Sequence, residues 1–254
     1  MYVYFYGVVE AELAYPPFPA GINGAKIRPL KYGDVTVLIG DVRASRIRPE
    51  RQHLKLHEEV VKEFMKRGTI LPISFGTIAE RMQIGRLMEH NYKSLSSCLS
   101  RFNGKVEMFL RLVWDVDNIY KFFLDNNPEL REEATSLFSG GMPSQWEKIE
   151  LGKLFESLLK GEREIYTRKV QKALSSFCHE TKELKVSNEK NVLRLACLID
   201  KSGEERFGAG VEELAKGMDE IYSFEITGPW PLYNFCHVHL IAAGERGRSY
   251  VLNR

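Results

Sequence analysis

The residues best suited by type and spacing to bind a metal ion are two histidines near the end of the chain. They belong to the run Cys236, His237, Val238 and His239, and alternate residues of a strand point to the same face. A closed zinc site takes four ligands, and no other histidine or cysteine pair has ligand spacing. Half-exposed strand histidines are therefore the favoured interpretation, and we expect no metal and no other cofactor.

Two further patterns suggest chemistry but favour a structural role. His57 precedes two glutamates, yet it falls on the apolar stripe of a predicted helix and has no recognisable nucleophile partner, so a core histidine is favoured. The segment 207–211 carries two glycines before a predicted helix, but Glu212 and Glu213 would repel a phosphate there. The chain also lacks G-x-S-x-G, H-E-x-x-H and Walker A sequences. We expect no enzyme activity, no catalytic residue and no small-molecule substrate.

Three aromatic side chains follow one another closely in residues 228–235, which read GPWPLYNF and are called the aromatic turn below. Its two prolines fix φ and stiffen the backbone on either side of Trp230. Two interpretations of Trp230, Tyr233 and Phe235 stay open. Their side chains either pack into a core or form a preorganised anchor that binds another protein.

A second candidate contact lies on the predicted strand at residues 105–114. Period-two alternation places Glu107 and Arg111 on the same face as Lys105. This arrangement predicts a charged ladder on an exposed sheet surface, where a solvated face is favoured over a contact with a partner protein.

Composition limits the classes of partner. The net charge is only +2, from 36 basic and 34 acidic residues, so nothing drives the chain as a whole toward nucleic acid, and we expect no nucleic-acid partner. No stretch is apolar enough to span a bilayer, and no lipid membrane partner is expected. The four cysteines are far apart in the sequence and Met1 leads directly into a strand-like stretch, which indicates a cytoplasmic protein with reduced thiols.

The first 114 residues alternate between strand and helix patterns. We predict strands at residues 2–9, 35–42, 70–75 and 105–114 and helices at 49–68 and 79–102. Two strand-helix-strand units in this order are typical of a ferredoxin-like α+β sandwich, here with one extra early strand.

The second half combines a long helical segment with a smaller α+β frame. Residues 144–183 form either one long helix, with Ile149 among its apolar members, or a helical hairpin broken at Gly161. The other predicted elements are helices at 115–127 and 211–218 and strands at 191–199, 221–227 and 236–242.

The fold class predicted from these elements is α+β with two domains. The first is a modified ferredoxin-like domain at residues 1–138, and it ends before the linker-like sequence SGGMP. The second, at residues 139–243, joins the long helical segment to a small C-terminal α+β domain, and a basic tail follows at 244–254.

Several segments, in this order, resemble the GvpL/GvpF family of gas vesicle accessory proteins. The matching segments are residues 4–9 (YFYGVV), His57 with Glu58, residues 71–77 (LPISFGT), residues 104–107 (GKVE) and the aromatic turn. They span nearly the whole chain, which makes the resemblance specific. Leu232 departs from the second proline expected in a GPWPP sequence, so we expect a somewhat less stiff turn.

The resemblance implies a non-enzymatic accessory or minor structural protein that is needed to assemble gas vesicles. It also implies a location in the cytoplasm in association with the vesicle. The implied partners are the hydrophobic shell protein and other gas vesicle accessory proteins, with Trp230, Tyr233, Phe235, Glu107 and Arg111 as candidate contacts. The alternative function is a ferredoxin-like domain that binds, or acts on, a small metabolite, which rests on the α+β pattern alone.

Overall fold

Helices and strands are mixed along the whole chain. The computed structural model describes residues 1–139, 141–186, 188–236, 238, 240–243 and 249–251. The strands form two main antiparallel sheets, which confirms the predicted α+β class. The chain divides into two compact units, a first made of Met1–Glu107, Asp200–Ser202 and Pro229–Arg254 and a second made of Met108–Ile199 and Gly203–Gly228.

The first unit is built around a five-stranded sheet whose central strand is buried from Val3 to Val9. Its strands are β1 (Tyr2–Glu10), β2 (Ile27–Tyr32), β3 (Val35–Val42), β4 (Ile70–Pro72) and β5 (Ile78–Glu80). The order is β2-β3-β1-β4, with β5 also paired to β1, and every one of these pairings is antiparallel. Because both faces of β1 are apolar, they must both be covered. On one face, Tyr4 and Tyr6 pack with Val60 and Phe64 of helix α1 (Arg51–Arg67).

Helix α2 (Ile84–Phe102) begins later than residue 79, where the sequence pattern placed its start. Ala79 lies in β5 and pairs with Val3, because extending the central sheet outweighs local helix propensity at this point. Strand β2 was not predicted. It contains Pro29, opposite Leu38, and this proline is tolerated because β2 is an edge strand.

The second unit contains a four-stranded sheet and four helices. The strand order is β7-β8-β6-β9, so β7 and β9 are the edge strands. These strands are β6 (Lys105–Trp114), β7 (Glu180–Glu183), β8 (Asn191–Asp200) and β9 (Tyr222–Trp230). The helices are α3 (Ile119–Asn126), α4 (Pro128–Ser139), α5 (Gln145–Leu174) and α6 (Glu204–Lys216).

The long helical segment is one continuous helix, α5, which ends at Leu174. Gly161 does not break it. The helix starts with a capping box, in which Ser144 Oγ accepts a hydrogen bond from Glu147 N at 3.3 Å and Glu147 Oε2 accepts one from Ser144 N at 2.7 Å. This pair satisfies backbone donors that the first helical turn leaves without partners.

Helix α6 begins at Glu204, earlier than the predicted start at residue 211. Gly208 and Gly210 lie within this helix rather than before it.

Near the end of the chain, β10 (Ile241–Ala243) and β11 (Ser249–Val251) form an antiparallel pair. Residues 244–248 and 252–254 of the predicted tail lie outside the described residues. The compact units differ from the ranges 1–138 and 139–243, and the domain boundaries stay a prediction.

None of the helices in the described part of the chain is both long enough and apolar enough to cross a membrane.

The two glycines of α6 have opposite surroundings and give a matched test of packing in the second unit. A Cβ at Gly208 would meet nothing within 4 Å, whereas a Cβ at Gly210 would lie 2.9 Å from the ring of Phe177. We expect Gly208→Ala to raise the free energy of unfolding by about 0.5–1 kcal/mol through helix propensity. We expect Gly210→Ala to lower it by about 1–3 kcal/mol through overpacking. Urea unfolding of both variants checks this, and equal changes would contradict the packing of Phe177 against Gly210.

Candidate functional site

The aromatic turn is fastened to the protein by both its backbone and its apolar side chains. Gly228 has φ 137°, a conformation that residues with a side chain rarely adopt. Tyr233 N donates a hydrogen bond to Pro231 O at 2.7 Å, which tightens the turn. Leu232 and Phe235 are buried, so their side chains contribute to the core of the first unit.

A buried carboxylate holds the aromatic turn in place. Glu107 Oε2 accepts a hydrogen bond from Asn234 N at 2.9 Å, and Glu107 Oε1 accepts one from Asn234 Nδ2. Glu107 is fully buried, so the predicted exposed ladder that joined it to Lys105 and Arg111 is wrong. The physical reason is that a buried turn needs acceptors for its N–H groups, and a carboxylate accepts two such bonds at once.

Charged side chains of α1 act on two aromatic residues of the turn, through a direct contact with Trp230 and through electrostatics at Tyr233. Lys62 Nζ lies 4.6 Å from the centroid of the Trp230 ring and forms an ion pair of 2.7 Å with Glu58 Oε1. Burial raises the pKa of the Tyr233 hydroxyl to about 12, and the negative charges of Glu58 and Glu107 add to this effect. Trp230 is half-buried and Tyr233 is 37% exposed, so parts of both rings remain accessible.

Arg111 belongs to the second unit, whereas the other four candidate contacts lie in the first. Its guanidinium group forms a two-point ion pair with Glu225 on the neighbouring edge strand β9, with Nε to Oε2 at 2.9 Å. Both side chains are about half exposed. The pair lies on an accessible sheet face, where it contributes little to stability.

His57 lies in a cluster of buried aromatic side chains, as its place on the apolar stripe predicts. Tyr4 accepts a hydrogen bond from Gly76 N at 3.0 Å, and its hydroxyl lies 3.0 Å from His57 Nδ1. The His57 ring stacks on Tyr6 at 5.7 Å and meets the edge of Phe75 at 5.8 Å. Burial lowers the pKa of His57 to about 4, so the imidazole is neutral near pH 7.

A group of large apolar side chains is exposed where α4 meets α5. We call this group the apolar corner, and it consists of Phe138 (62% exposed), Met142 (99%), Trp146 (67%) and Ile149 (46%). The sequence pattern predicted a linker and the start of a helix here, but not the exposed surface. The sequence signal for this surface was the presence of three large apolar residues, Phe138, Met142 and Trp146, close to the linker.

A cleft of about 250 Å³ lies between residues of α3, α4 and α5. It is lined by Tyr120, Leu124, Leu130, Lys148, Leu151, Gly152 and Phe155. The ring of Tyr120 packs on that of Phe155 with centroids 4.7 Å apart, and a Cβ at Gly152 would meet nothing within 4 Å. The missing side chain at Gly152 leaves room over the helix for an apolar group.

Over the residues that the structure describes, no three His, Cys, Asp or Glu side chains are grouped so that they could hold a metal ion. His237 and His239, the metal-binding pattern considered from the sequence, lie outside the described residues.

The segments that suggested a family resemblance thus meet in the first unit, around Tyr4, His57, Gly76, Glu107 and the aromatic turn. The sequence profile described as "Gas vesicle synthesis protein GvpL/GvpF" matches residues 2–237. The chain belongs to the GvpL/GvpF family. Membership in this family implies a role in gas vesicle formation.

Relatives of this family member are named as gas vesicle proteins. Gas vesicle protein F of a Streptomyces species is 24% identical over 92% of this chain and 99% of its own length. Gas vesicle protein F1 of Halobacterium salinarum is 20% identical over 96% of this chain and 97% of its own length.

Two crystal structures show that the chain has the GvpF fold. GvpF from Anabaena sp. PCC7120 matches with a TM-score of 0.79 and 21% identity, covering 93% of this chain and 98% of the other. GvpF from Microcystis aeruginosa matches with a TM-score of 0.73 and 20% identity, covering 93% of this chain and 99% of the other.

Two charged residues of β6 should differ sharply in their effect on stability. Glu107→Leu leaves Asn234 N and Nδ2 without their buried acceptor, and we expect it to lower the free energy of unfolding by about 2–3 kcal/mol. Arg111→Gln removes only an exposed ion pair, and we expect a loss below about 1 kcal/mol. Urea unfolding followed by circular dichroism compares the two, and equal losses would argue against the Glu107 clamp.

His57 should make stability fall in mildly acidic solution. Its pKa is about 4 in the folded protein and about 6.5 in an unfolded chain, so the unfolded chain binds the proton more tightly. As the pH falls from about 6.5 to 4, this residue alone should cost roughly 3 kcal/mol of stability.

The matched variant for this measurement is His57→Gln, which cannot take up that proton. Chemical unfolding at a series of pH values should give a flatter dependence for the variant over this range. Parallel curves for the two proteins would show that His57 does not titrate in the way its burial requires.

Proposed function

We propose that this GvpL/GvpF-family protein acts in gas vesicle formation as an accessory or minor structural protein. In this role it binds the hydrophobic shell protein or another accessory protein of the vesicle, in the cytoplasm and in association with the vesicle. The observation that carries the binding role is the apolar corner, with Trp146 67% and Met142 99% exposed. Exposed apolar groups of this size mark contact surfaces for other proteins.

The composition of the apolar corner supports a protein partner. Tryptophan and phenylalanine bury a large area on binding and frequently dominate the energy of an interface. Methionine adapts its shape to an irregular apolar surface. Residues 144–150 are all exposed, so the first turns of α5 are accessible to a partner.

The cleft between α3, α4 and α5 supports a partner that inserts an apolar side chain. The rings of Tyr120 and Phe155 form one part of its lining, and a side chain added at Gly152 would meet nothing within 4 Å. A protruding anchor that fits a pocket is the usual arrangement at the centre of a protein interface. The cleft and the apolar corner together form one continuous binding surface in this proposal.

The edge strand β9 offers a second kind of contact, strand addition to the sheet. Residues 225–228 are exposed, and an edge strand presents backbone groups that an extended segment can pair with. Arg111 lies next to this edge through its ion pair with Glu225, and it stays a predicted partner contact.

The apolar corner is tested by the double variant Met142→Ser with Trp146→Ser. We expect the folded variant to bind the shell protein or its accessory partners about tenfold or more weakly in a pull-down, and to support fewer vesicles. The matched control replaces two apolar residues exposed elsewhere, Met82 (94%) and Leu54 (43%), with serine. Loss of binding in both double variants, or in neither, would remove the apolar corner from the proposal.

Gly152→Leu tests the cleft separately, because leucine is a good helix former and would occupy the open space. We expect this variant to fold normally and to bind more weakly than the wild-type protein. Unchanged binding would leave the exposed residues of the apolar corner as the contact and exclude the cleft.

The sequence-predicted contacts in the aromatic turn require their own variant. Phe235 and Glu107 are buried, so the test uses the double variant Trp230→Ala with Tyr233→Ala, whose side chains are partly accessible. Circular dichroism first shows that the variant is folded. We expect weaker capture of the shell protein if the rings contact it. Wild-type vesicle formation and capture in this variant would show that the aromatic turn is structural only.

A further inference from the structure

Three clefts follow one another along α5 in the second unit. The first is the cleft between α3, α4 and α5, and the second and third, of about 340 and 430 Å³, lie further toward the end of the helix. Neighbouring clefts share lining residues, Tyr120 and Phe155 between the first and second, and Arg163 and Val186 between the second and third. We call this row of clefts the α5 groove.

The α5 groove follows one face of the helix. Its α5 residues run from Lys148 to Arg168 in the repeated pattern i, i+3, i+4 and i+7, which places them on one side of a helix. At the helical rise per residue, the two ends of this face are about 30 Å apart. The groove is therefore long enough for a segment of about 20 helical residues or about nine extended residues.

The connection between β7 and β8 forms the wall opposite α5 at the second and third clefts. Arg163 of α5 fastens this wall through its guanidinium group. Its Nε donates a hydrogen bond to Asn191 O at 3.0 Å, and one Nη donates to Asn188 O and Glu189 O, each at 3.1 Å. Both sides of the groove are thus held in place without a partner, and a preorganised site loses less conformational entropy on binding.

The two ends of the α5 groove differ in chemistry. The first cleft is lined mainly by aromatic and aliphatic side chains, with Lys148 as its one charged residue. The third cleft is lined by four cationic residues and two carboxylates, listed as Lys160, Arg163, Arg168 and Arg194 with Glu164 and Glu183. The hydrogen bonds of Arg163 go to neutral carbonyl oxygens, so its positive charge is not cancelled. The third cleft therefore carries an excess of two positive charges, which attracts negative groups.

We propose that the α5 groove binds a segment of a partner protein that is apolar at one end and acidic at the other. The apolar end occupies the first cleft, and the carboxylates of the acidic end lie beside Lys160 and Arg168, which are exposed in the third cleft. This assignment rests on the proposed binding role and adds the chemistry and the orientation of the bound segment.

The lining of the groove favours a protein segment over a nucleic acid. Glu164 and Glu183 lie in the third cleft, and Glu156 and Glu189 lie in the second. A nucleic acid carries a negative charge at every nucleotide and would place phosphates beside these carboxylates. A polypeptide can instead carry carboxylates only where the groove has cations and apolar side chains only where it has rings.

The test adds two fluorescein-labelled peptides of about 20 residues to the purified full-length protein. One half of each peptide carries leucine and phenylalanine at helical spacing. The other half carries glutamate in the first peptide and glutamine in the second. Each peptide is made with its halves in both orders, because the segment can run in either direction along α5.

Fluorescence anisotropy gives the Kd of each peptide. In at least one order of the halves, we expect the glutamate peptide to bind about fivefold or more tightly than the glutamine peptide. Raising the salt concentration from about 0.05 M to about 0.5 M should remove most of this difference, because salt screens the charges.

Arg168 and Lys169 give a matched pair of variants. They are adjacent and both exposed, but Lys169 is not part of the lining of the α5 groove. We expect Arg168→Glu to weaken binding of the glutamate peptide about fivefold or more, and Lys169→Glu to weaken it less than about twofold. Glu164→Lys should strengthen it. Gly152→Leu should weaken both peptides equally, because it fills only the apolar end.

Three results would overturn the proposal. One is equal binding of the two peptides, or binding of neither, by the wild-type protein. Another is equal weakening by Arg168→Glu and Lys169→Glu in variants that circular dichroism shows to be folded. The third is a single-stranded thymidine oligonucleotide that binds more tightly than the glutamate peptide and loses this binding in Arg168→Glu, which would assign the third cleft to nucleic acid.

Pull-down of vesicle proteins distinguishes the α5 groove from the proposed function. Normal capture by Arg168→Glu, together with equal binding of the two peptides, overturns the α5 groove alone. Discrimination between the peptides without capture of any vesicle protein by the wild-type chain overturns the proposed function and supports the groove as a site for acidic segments.

Discussion

The first unit depends on the need of buried polar atoms for hydrogen-bond partners. Strand β1 lies inside the unit, so the hydroxyl groups of Tyr4 and Tyr6 are removed from water. Tyr4 accepts a hydrogen bond from Gly76 N at 3.0 Å, and Tyr6 accepts one from Ile22 N at 2.9 Å. One buried strand thereby fixes two irregular segments that are far from it in sequence, and each segment satisfies a group that would be costly to bury alone.

The same requirement explains the aromatic turn. Its compact backbone needs acceptors for N–H groups inside the protein, and Glu107 supplies two acceptor oxygens from β6. Phe235 and Leu232 are buried beneath the turn, and Lys62 of α1 lies over the Trp230 ring. The segments that resemble the GvpL/GvpF family are thus largely parts of one hydrogen-bonded and packed arrangement. This arrangement gives these segments a structural role without assigning any of them a chemical reaction.

Local sequence patterns predicted much of this unit, because β1 is a run of aromatic and β-branched residues and α1 has a clear helical periodicity. The predictions were wrong where a residue far away in sequence determines the secondary structure or the burial of a position. Ala79 joins a strand because β1 offers it a pairing, and Glu107 is buried because Asn234 lies over it, 127 residues away in sequence. Gly210 was placed just before a predicted helix, although it lies within α6 and makes room for the ring of Phe177. Such contacts leave no periodicity in the sequence, so the sequence alone could not assign candidate residues to core or surface.

Two kinds of residue in this protein depart from the usual rule that charged side chains are exposed and large apolar side chains are buried. A buried carboxylate is unusual, but Glu107 has donors within the chain that account for its burial. Phe138, Met142 and Trp146 are unusual in the opposite sense, because they are large, apolar and exposed. Trp146 contacts the end of one charged side chain, Lys153, whose Nζ lies 5.3 Å from the centroid of the ring. Exposed apolar area lowers the solubility of a free chain and does not stabilise its fold. Among the described residues, the apolar corner is therefore the surface that we propose for contact with a partner protein.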